Sequence, residues 1–321
     1  MDRKQLAETL NSTSSTRKRP ILTLANGDNT WLISIPRPTG SPGKAFYHIL
    51  QDPWLSGPSD AFYSWVLRMQ HREKEAFGDV QAVEDWIQGI EEAVGGTKGE
   101  QEWWLDAVLV THINTDHLHE ATLRSFPPSM KIFAVEGTET VISAMNHFDS
   151  VTVVPDFTRG EQWPTTPEVP EGLSIFRLQD ESGMYPYIHH AMIIGISTES
   201  GGNEMILYAP HGVEPGIVDA AREVNPDANI LAMLHPINES GVGVKTKGVS
   251  NGLKIERRNK PKYWFNTHND KIQYTGILSW FLQHGRTTLE RGLEEEAKEG
   301  GEEHQKPNFV VLGNGDSYIL V

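Results

Sequence analysis

Between Thr111 and Glu120 the chain reads Thr-His-Ile-Asn-Thr-Asp-His-Leu-His-Glu, which places His112, Asn114, Asp116, His117 and His119 within eight residues. Imidazole and carboxylate groups at this density hold a transition metal or move protons, and the mixture suits zinc, iron or manganese better than calcium or magnesium. The run follows Ala107-Val-Leu-Val110, an apolar stretch with the length and β-branched content of a buried strand. After it, Glu120-Ala-Thr-Leu-Arg124 reads as the first turns of a helix, stopped by Pro127-Pro128. The plain alternative is a hydrogen-bonded polar loop. Polar groups crowded at the exit of a buried strand are costly to fold, and three His with one Asp in so short a span favour a metal site.

The elements that must position these groups recur down the chain, each an apolar run meeting a polar residue. Gln51-Asp52 ends one strand, Tyr187-Ile-His189-His190 opens another, and Leu207-Tyr-Ala-Pro-His211 and Lys262-Tyr-Trp-Phe-Asn-Thr-His268 end two more. In this order the segments resemble the metallo-β-lactamase fold superfamily, over roughly residues 20 to 270. His112-Ile-Asn114-Thr-Asp116-His117 resembles its His-x-His-x-Asp-His signature, with Asn114 standing where the second His belongs. The resemblance implies an α/β (α+β) fold, an αββα sandwich with the site on the edge where strand-exit loops meet. It implies metal ligands drawn from His112, Asp116, His117, His190, His211 and His268. Asp52 is either a support for the metal loop or a simple turn cap.

Successive strand residues point to opposite faces, so one of His189 and His190 reaches the site. His190 has the spacing that resembles the family's; His189, Asn114 and His119 are secondary candidates. Two departures matter. His211 stands where the family has a bridging Asp, and a neutral imidazole has one lone pair with which to bind a cation. Asn114 offers a neutral amide, a weaker donor than imidazole. The expectation is therefore one divalent transition metal, zinc ahead of iron or manganese. Asp116 and His211 are the catalytic candidates, Asp116 as ligand or as the group that orients water.

With 321 residues, 38% of them hydrophobic and nine of them Trp, the chain can bury a substantial core. No apolar run approaches the length that spans a bilayer, and Met1 to Leu10 lacks a signal-peptide core. Zero Cys excludes disulfides, thiolate zinc sites and Cys nucleophiles together, and a cytoplasmic location is expected. A net charge of −15 argues against a nucleic-acid partner. The partner expected is a small molecule, with no membrane; oligomeric state is open.

Residues 1–20 read as a flexible lead-in and 21–321 as a single domain, with a helical insertion at about 54–105. In that insertion Asp60 to Met69 and Val83 to Val94 carry apolar positions near helical spacing. Three strands precede it, between Ile21 and Gln51, and β/α alternation follows from Lys131. Gly241 to Lys260 reads as a Gly-rich loop, Thr275 opens a helix running towards Glu296, and Asn314-Gly315 is the turn of a closing hairpin. Trp54, Tyr185 and Tyr187 are candidate walls of an apolar or aromatic substrate pocket, although aromatic residues at such spacing usually pack a core.

Metal-assisted hydrolysis of a small ester, lactone, thioester or amide is the leading reading. A non-hydrolytic enzyme on the same fold, doing iron-dependent redox, isomerase or lyase chemistry, is the first alternative. A metal-poor binding protein is the second. No Gly-x-Ser-x-Gly elbow or Gly-x-Gly-x-x-Gly loop competes.

Overall fold

All four side chains of Ala107–Val110 are buried, and alternation sends them to two different cores. Ala107 and Leu109 face a second sheet, while Val108 and Val110 face helices. A strand covered on both faces must be apolar throughout, which is why this one shows no polar alternation. The computed structural model describes residues 1–12, 18–100, 102–179, 185–199, 201–268, 272–300 and 305–321.

In chain order, α1 (Arg3–Ser12) is followed by the meander β1 (Ile21–Leu24), β2 (Trp31–Pro36) and β3 (Phe46–Gln51). A hairpin, β4 (Ser59–Ala61) and β5 (Leu67–His71), then leaves the main sheet, and α2 (Val80–Ala93) packs on it. Next come β6 (Ala107–Val110), α3 (Glu120–Leu123), β7 (Ile132–Ala134), α4 (Thr138–Ala144) and β8 (Val151–Val153), whose strands run parallel to one another. The second half runs β9 (Leu173–Gln179), β10 (His190–Ser197), β11 (Asn203–Tyr208), α5 (Pro215–Glu223), β12 (Asn229–Leu234), β13 (Glu239–Gly241), α6 (Val249–Asn259) and β14 (Tyr263–Phe265). It closes with β15 (Ile272–Thr275), a 3-10 turn (Ile277–Phe281), β16 (Gln283–Gly285), α7 (Leu289–Gly300), β17 (Phe309–Val310) and β18 (Ser317–Ile319).

The first sheet has the order β18-β1-β2-β3-β6-β7-β8 and the second β17-β14-β12-β11-β10-β9. Their facing sides form the central core, Trp31, Ile33, Ile49, Leu109 and Phe133 against Ile175, Ile194, Ile206, Leu234 and Phe265. Helix α2 covers the outer face of the first sheet and α5 and α6 that of the second, giving αββα layers. The ends of β3, β6, β11, β12 and β14, the start of β10 and the β1–β2 loop share one edge, because β3 runs parallel to β6 and antiparallel to β2, and β11 parallel to β12 and antiparallel to β10.

Five segments differ from the sequence expectation. Residues 3–12 of the lead-in form α1, whose Leu6 is buried against Phe46 and Ile90. Residues 13–17 lie outside the described residues. Asp60 to Met69 is hairpin, not helix: β5 pairs with β15, some 200 residues later, and that long-range ladder overrides local spacing. The Gly-rich stretch from Gly241 contains α6. The helix expected from Thr275 is a 3-10 turn and a short strand before α7 begins at Leu289. The closing strands do not pair with each other, since β17 joins β14 and β18 joins β1, so the C-terminal segment ties one sheet to the other.

Candidate metal centre

Asp52 ends β3 and is wholly buried with a left-handed backbone, φ 46°. Its Oδ1 accepts the Thr111 amide at 2.7 Å, and its Oδ2 accepts Thr111 Oγ1 at 2.6 Å, His117 Nδ1 at 2.7 Å and the Tyr208 hydroxyl at 2.8 Å. The charge of Asp52 keeps the shared proton on His117 Nδ1, so His117 Nε2 presents a bare lone pair. Burial, followed by the nearby Asp52 charge, pushes the Tyr208 hydroxyl well above its ordinary pKa, so it stays a neutral donor. Thr111 has one hydroxyl proton, and the Asp52 carboxylate claims it. His112 Nδ1 lies 2.8 Å from Thr111 Oγ1 and its Nε2 3.1 Å from the carbonyl of Ile188, so each ring nitrogen faces an oxygen and the ring is held on both sides.

His268, at the exit of β14, repeats the arrangement with a different carboxylate. Its Nδ1 lies 2.9 Å from Asp28 Oδ2 and its backbone NH donates to Asp28 O at 2.9 Å; its own φ is 51°. Burial pushes the Asp28 carboxyl up, but His268, through its charge and hydrogen bond, together with His71 and His117, holds it below its ordinary value. Asp28 therefore stays ionised, and His268 Nε2 lies 3.5 Å from Asp116 Oδ2. His117 Nε2 lies 3.9 Å from the same oxygen and 3.2 Å from His211 Nε2.

Two overlapping donor sets result: Asp116, His117 and His268, and His112, His117 and His211, with the ligand atoms of each set within 4.8 Å of one another. The fit to a cation follows from the donors. In the first set a carboxylate oxygen and two ring nitrogens converge from three buried residues, a donor mixture that suits a divalent transition metal. Two nitrogens on a tetrahedral zinc stand about 3.3 Å apart, given Zn–N distances near 2.0–2.1 Å, close to the His117–His211 spacing. His117 Nε2 has one lone pair, so it serves one metal and the two sets cannot both be completed through it.

No protein-family model matches the sequence, and no curated protein matches it. Solved structures do match in three dimensions. One is a possible metal-dependent hydrolase from Veillonella parvula DSM 2008, 12% identical, covering 95% of this chain and 100% of that one at a TM-score of 0.57. Another is an isothiocyanate hydrolase from Delia radicum gut bacteria, 14% identical, covering 94% and 99% at 0.56. A mutant of the CmlA β-hydroxylase, 11% identical, matches 95% of this chain and 55% of its own length at 0.52. This is the metallo-β-lactamase fold. Within that fold the chain keeps the edge where strand-exit loops meet and alters the donors there.

His112, Asp116, His117, His211 and His268 come together. His190 does not join either set: its ring stacks on His112 at 3.9 Å, its Nε2 lies 2.8 Å from Thr111 O and its Nδ1 3.3 Å from Pro186 O. His189 Nδ1 lies 3.0 Å from the carbonyl of His211. Asn114 is exposed and its carbonyl accepts from the amides of His117 and Leu118, which shapes the ligand turn. His119 is held by Thr122 Oγ1 and Pro58 O, away from the cluster. Trp54 is fully buried, its ring 3.9 Å from His71, so it packs in the core. Tyr187 is exposed and Tyr185 half-buried, the two in edge contact beside Ile188, whose carbonyl faces His112.

Burial lowers the pKa of His112 and His211 well below the ordinary range, and neighbouring imidazoles add to it: first His190 for His112, first His117 for His211. Burial also lowers His190, to about 4. Neutral rings are the form that binds a metal. His211 Nδ1 and Asp28 Oδ1 are buried without a hydrogen-bond partner. Asp28, Thr111 and Tyr208 are the residues that sequence alone missed. Asp28 sits in Asn26-Gly27-Asp28-Asn29, which reads as a turn, and only the burial of that polar run marks it as more.

Proposed function

We propose that this chain is a hydrolase that uses one divalent transition metal, zinc ahead of iron or manganese, held by Asp116, His117 and His268. The observation that carries the reading is the pair of outer carboxylates: Asp52 on His117 Nδ1 at 2.7 Å and Asp28 on His268 Nδ1 at 2.9 Å. Carboxylates behind imidazoles orient metal ligands and raise their basicity. A divalent cation held there supplies Lewis acidity and lowers the pKa of a water molecule towards neutrality. The chain's own groups do the rest. His211, kept neutral by burial and 3.2 Å from His117, stands beside the site as an uncharged proton acceptor or a further donor. Asp116, whose Oδ2 lies 3.5 Å from His268 Nε2, is placed to ligate the metal or to orient a water beside it. Tyr185 and Tyr187, which flank Ile188 whose carbonyl faces His112, and the exposed Ile113 next to His112 in sequence favour a small apolar or aromatic ester, lactone, thioester or amide.

A second reading has one observation of its own. Two imidazoles and one carboxylate on a shared face also suit non-haem iron, and a β-hydroxylase is among the proteins of similar fold. Turnover of a panel of aryl esters and lactones by zinc-loaded protein separates the two. Hydrolysis lost with a chelator and in Asp116→Asn supports the first. Turnover that needs iron and oxygen supports the second.

A further inference from the structure

The hairpin tip between β4 and β5 and the 3-10 turn after β15 carry six large apolar side chains pointing to solvent. Phe62 and Trp280 are 84% and 86% exposed, and Tyr63, Trp65, Ile277 and Phe281 between 56% and 66%. They form one surface. The amides of Ile277 and Leu278 donate to the carbonyls of Trp65 and Val66 at 3.0 and 2.9 Å, and the Tyr63 and Trp65 rings stack 6.1 Å apart at 6°. Gly276, at φ 94°, lets the two segments touch, since a Cβ there would sit 2.7 Å from Val66 O. The display is therefore built on a hydrogen-bonded frame. It is no frayed loop.

We propose that this aromatic face is where a second copy of the chain docks, forming a two-fold dimer. The area fits. Five aromatic side chains at about 150–250 Å² each, weighted by their exposure, present roughly 700 Å², and Ile277 adds to it. That exceeds the ~300–600 Å² of the largest patch on a typical monomer and approaches the ~800 Å² each partner contributes to a standard interface. Its composition is that of an interface centre, where Trp and Tyr dominate the binding energy. Self-docking is favoured because an apolar face is its own complement under two-fold rotation, whereas a charged face is not. A bilayer is the competing occupant, and the chain's net charge of −15 opposes approach to an anionic one. The Asp60–Arg68 ion pair, with bonds of 2.7 and 2.8 Å on the flank of the same hairpin, gives the face a polar rim.

The test is sedimentation velocity of the full chain from about 0.1 to 100 μM, with Phe62→Ser, Trp280→Glu, the double variant and, as a control, Val311→Glu, an exposed apolar residue elsewhere. The expected result is a dimer for wild type and Val311→Glu, and a dissociation constant raised at least 100-fold by Trp280→Glu and further by the double change. Tryptophan emission should shift to the blue as wild type is concentrated and not in the double variant. Because these side chains touch little of their own chain, far-ultraviolet circular dichroism and melting should match wild type. A wild type that is monomeric throughout overturns the proposal, and binding of that monomer to phosphatidylcholine–phosphatidylserine vesicles would assign the face to a membrane instead. A dimer that persists in the double variant also overturns it.

Discussion

Replacing Asp52 by Asn changes one atom and tests how the site is pre-set. Three donors converge on Oδ2 and one on Oδ1. The amide oxygen takes the place of Oδ2, because the reverse orientation would set an NH₂ against three donors. Three hydrogen bonds then survive without the negative charge. Charge-assisted bonds contribute ~1.5–3 kcal/mol and neutral ones ~0.5–1.5, so the three together lose about 3 kcal/mol. The Thr111 amide now faces an NH₂ and loses its acceptor, for a further ~1–3 kcal/mol. A loss of about 4–6 kcal/mol lowers the melting temperature by on the order of 10 °C. His117 keeps its tautomer and loses basicity, and zinc affinity falls about 10- to 100-fold. Calorimetric melting of metal-free protein and a competitive zinc titration measure the two effects. A D52N protein that melts within about 2 °C of wild type and binds zinc within about twofold refutes the role assigned to the carboxylate.

Asp28→Asn removes the carboxylate hydrogen-bonded to His268, and zinc affinity should fall about 10-fold with a smaller loss of stability than in D52N; an unchanged titration would remove His268 from the ligand set. His190→Gln is expected to keep the metal at wild-type stoichiometry while costing ~1–3 kcal/mol through the Thr111 carbonyl it abandons; elemental analysis showing metal loss would place His190 among the ligands. The metal-free protein should lose stability as pH falls. His112, His190 and His211 have lowered pKa values, chiefly through burial, so the unfolded chain takes up protons near 6.5 that the folded protein refuses. The stabilisation is present above about 6.5 and is lost as pH falls through the window towards the folded values, about 4 for His190. That shift alone corresponds to on the order of 3 kcal/mol. Urea midpoints at pH 7.5, 6 and 5 measure it, and a midpoint that is flat or rises on acidification contradicts the reading.

The strand exits were legible because two local signals coincide there. Ala107–Val110 is apolar on both faces because two cores cover it, and the His and Asp residues that follow are neighbours in sequence as well as in space. Asp28 was not legible, since its partner His268 lies 240 residues away and nothing in an Asn-Gly-Asp turn announces it. The same limit explains the β4–β5 hairpin. Its aromatics fall near helical spacing, and only pairing with Ile272–Thr275 makes it sheet. Asn314-Gly315 does turn the chain, but the strands on either side of it belong to different sheets, a distinction no local signal encodes. Trp54 could be read as pocket or core from its type, and burial against His71 decides for core.

Elemental analysis of wild type, His268→Ala, Asp116→Ala and His112→Ala, purified without a tag, decides whether one metal sits on Asp116, His117 and His268. One transition metal per wild-type chain is expected, lost in His268→Ala and Asp116→Ala and largely kept in His112→Ala. Two metals per chain, or one metal retained without His268, would contradict it.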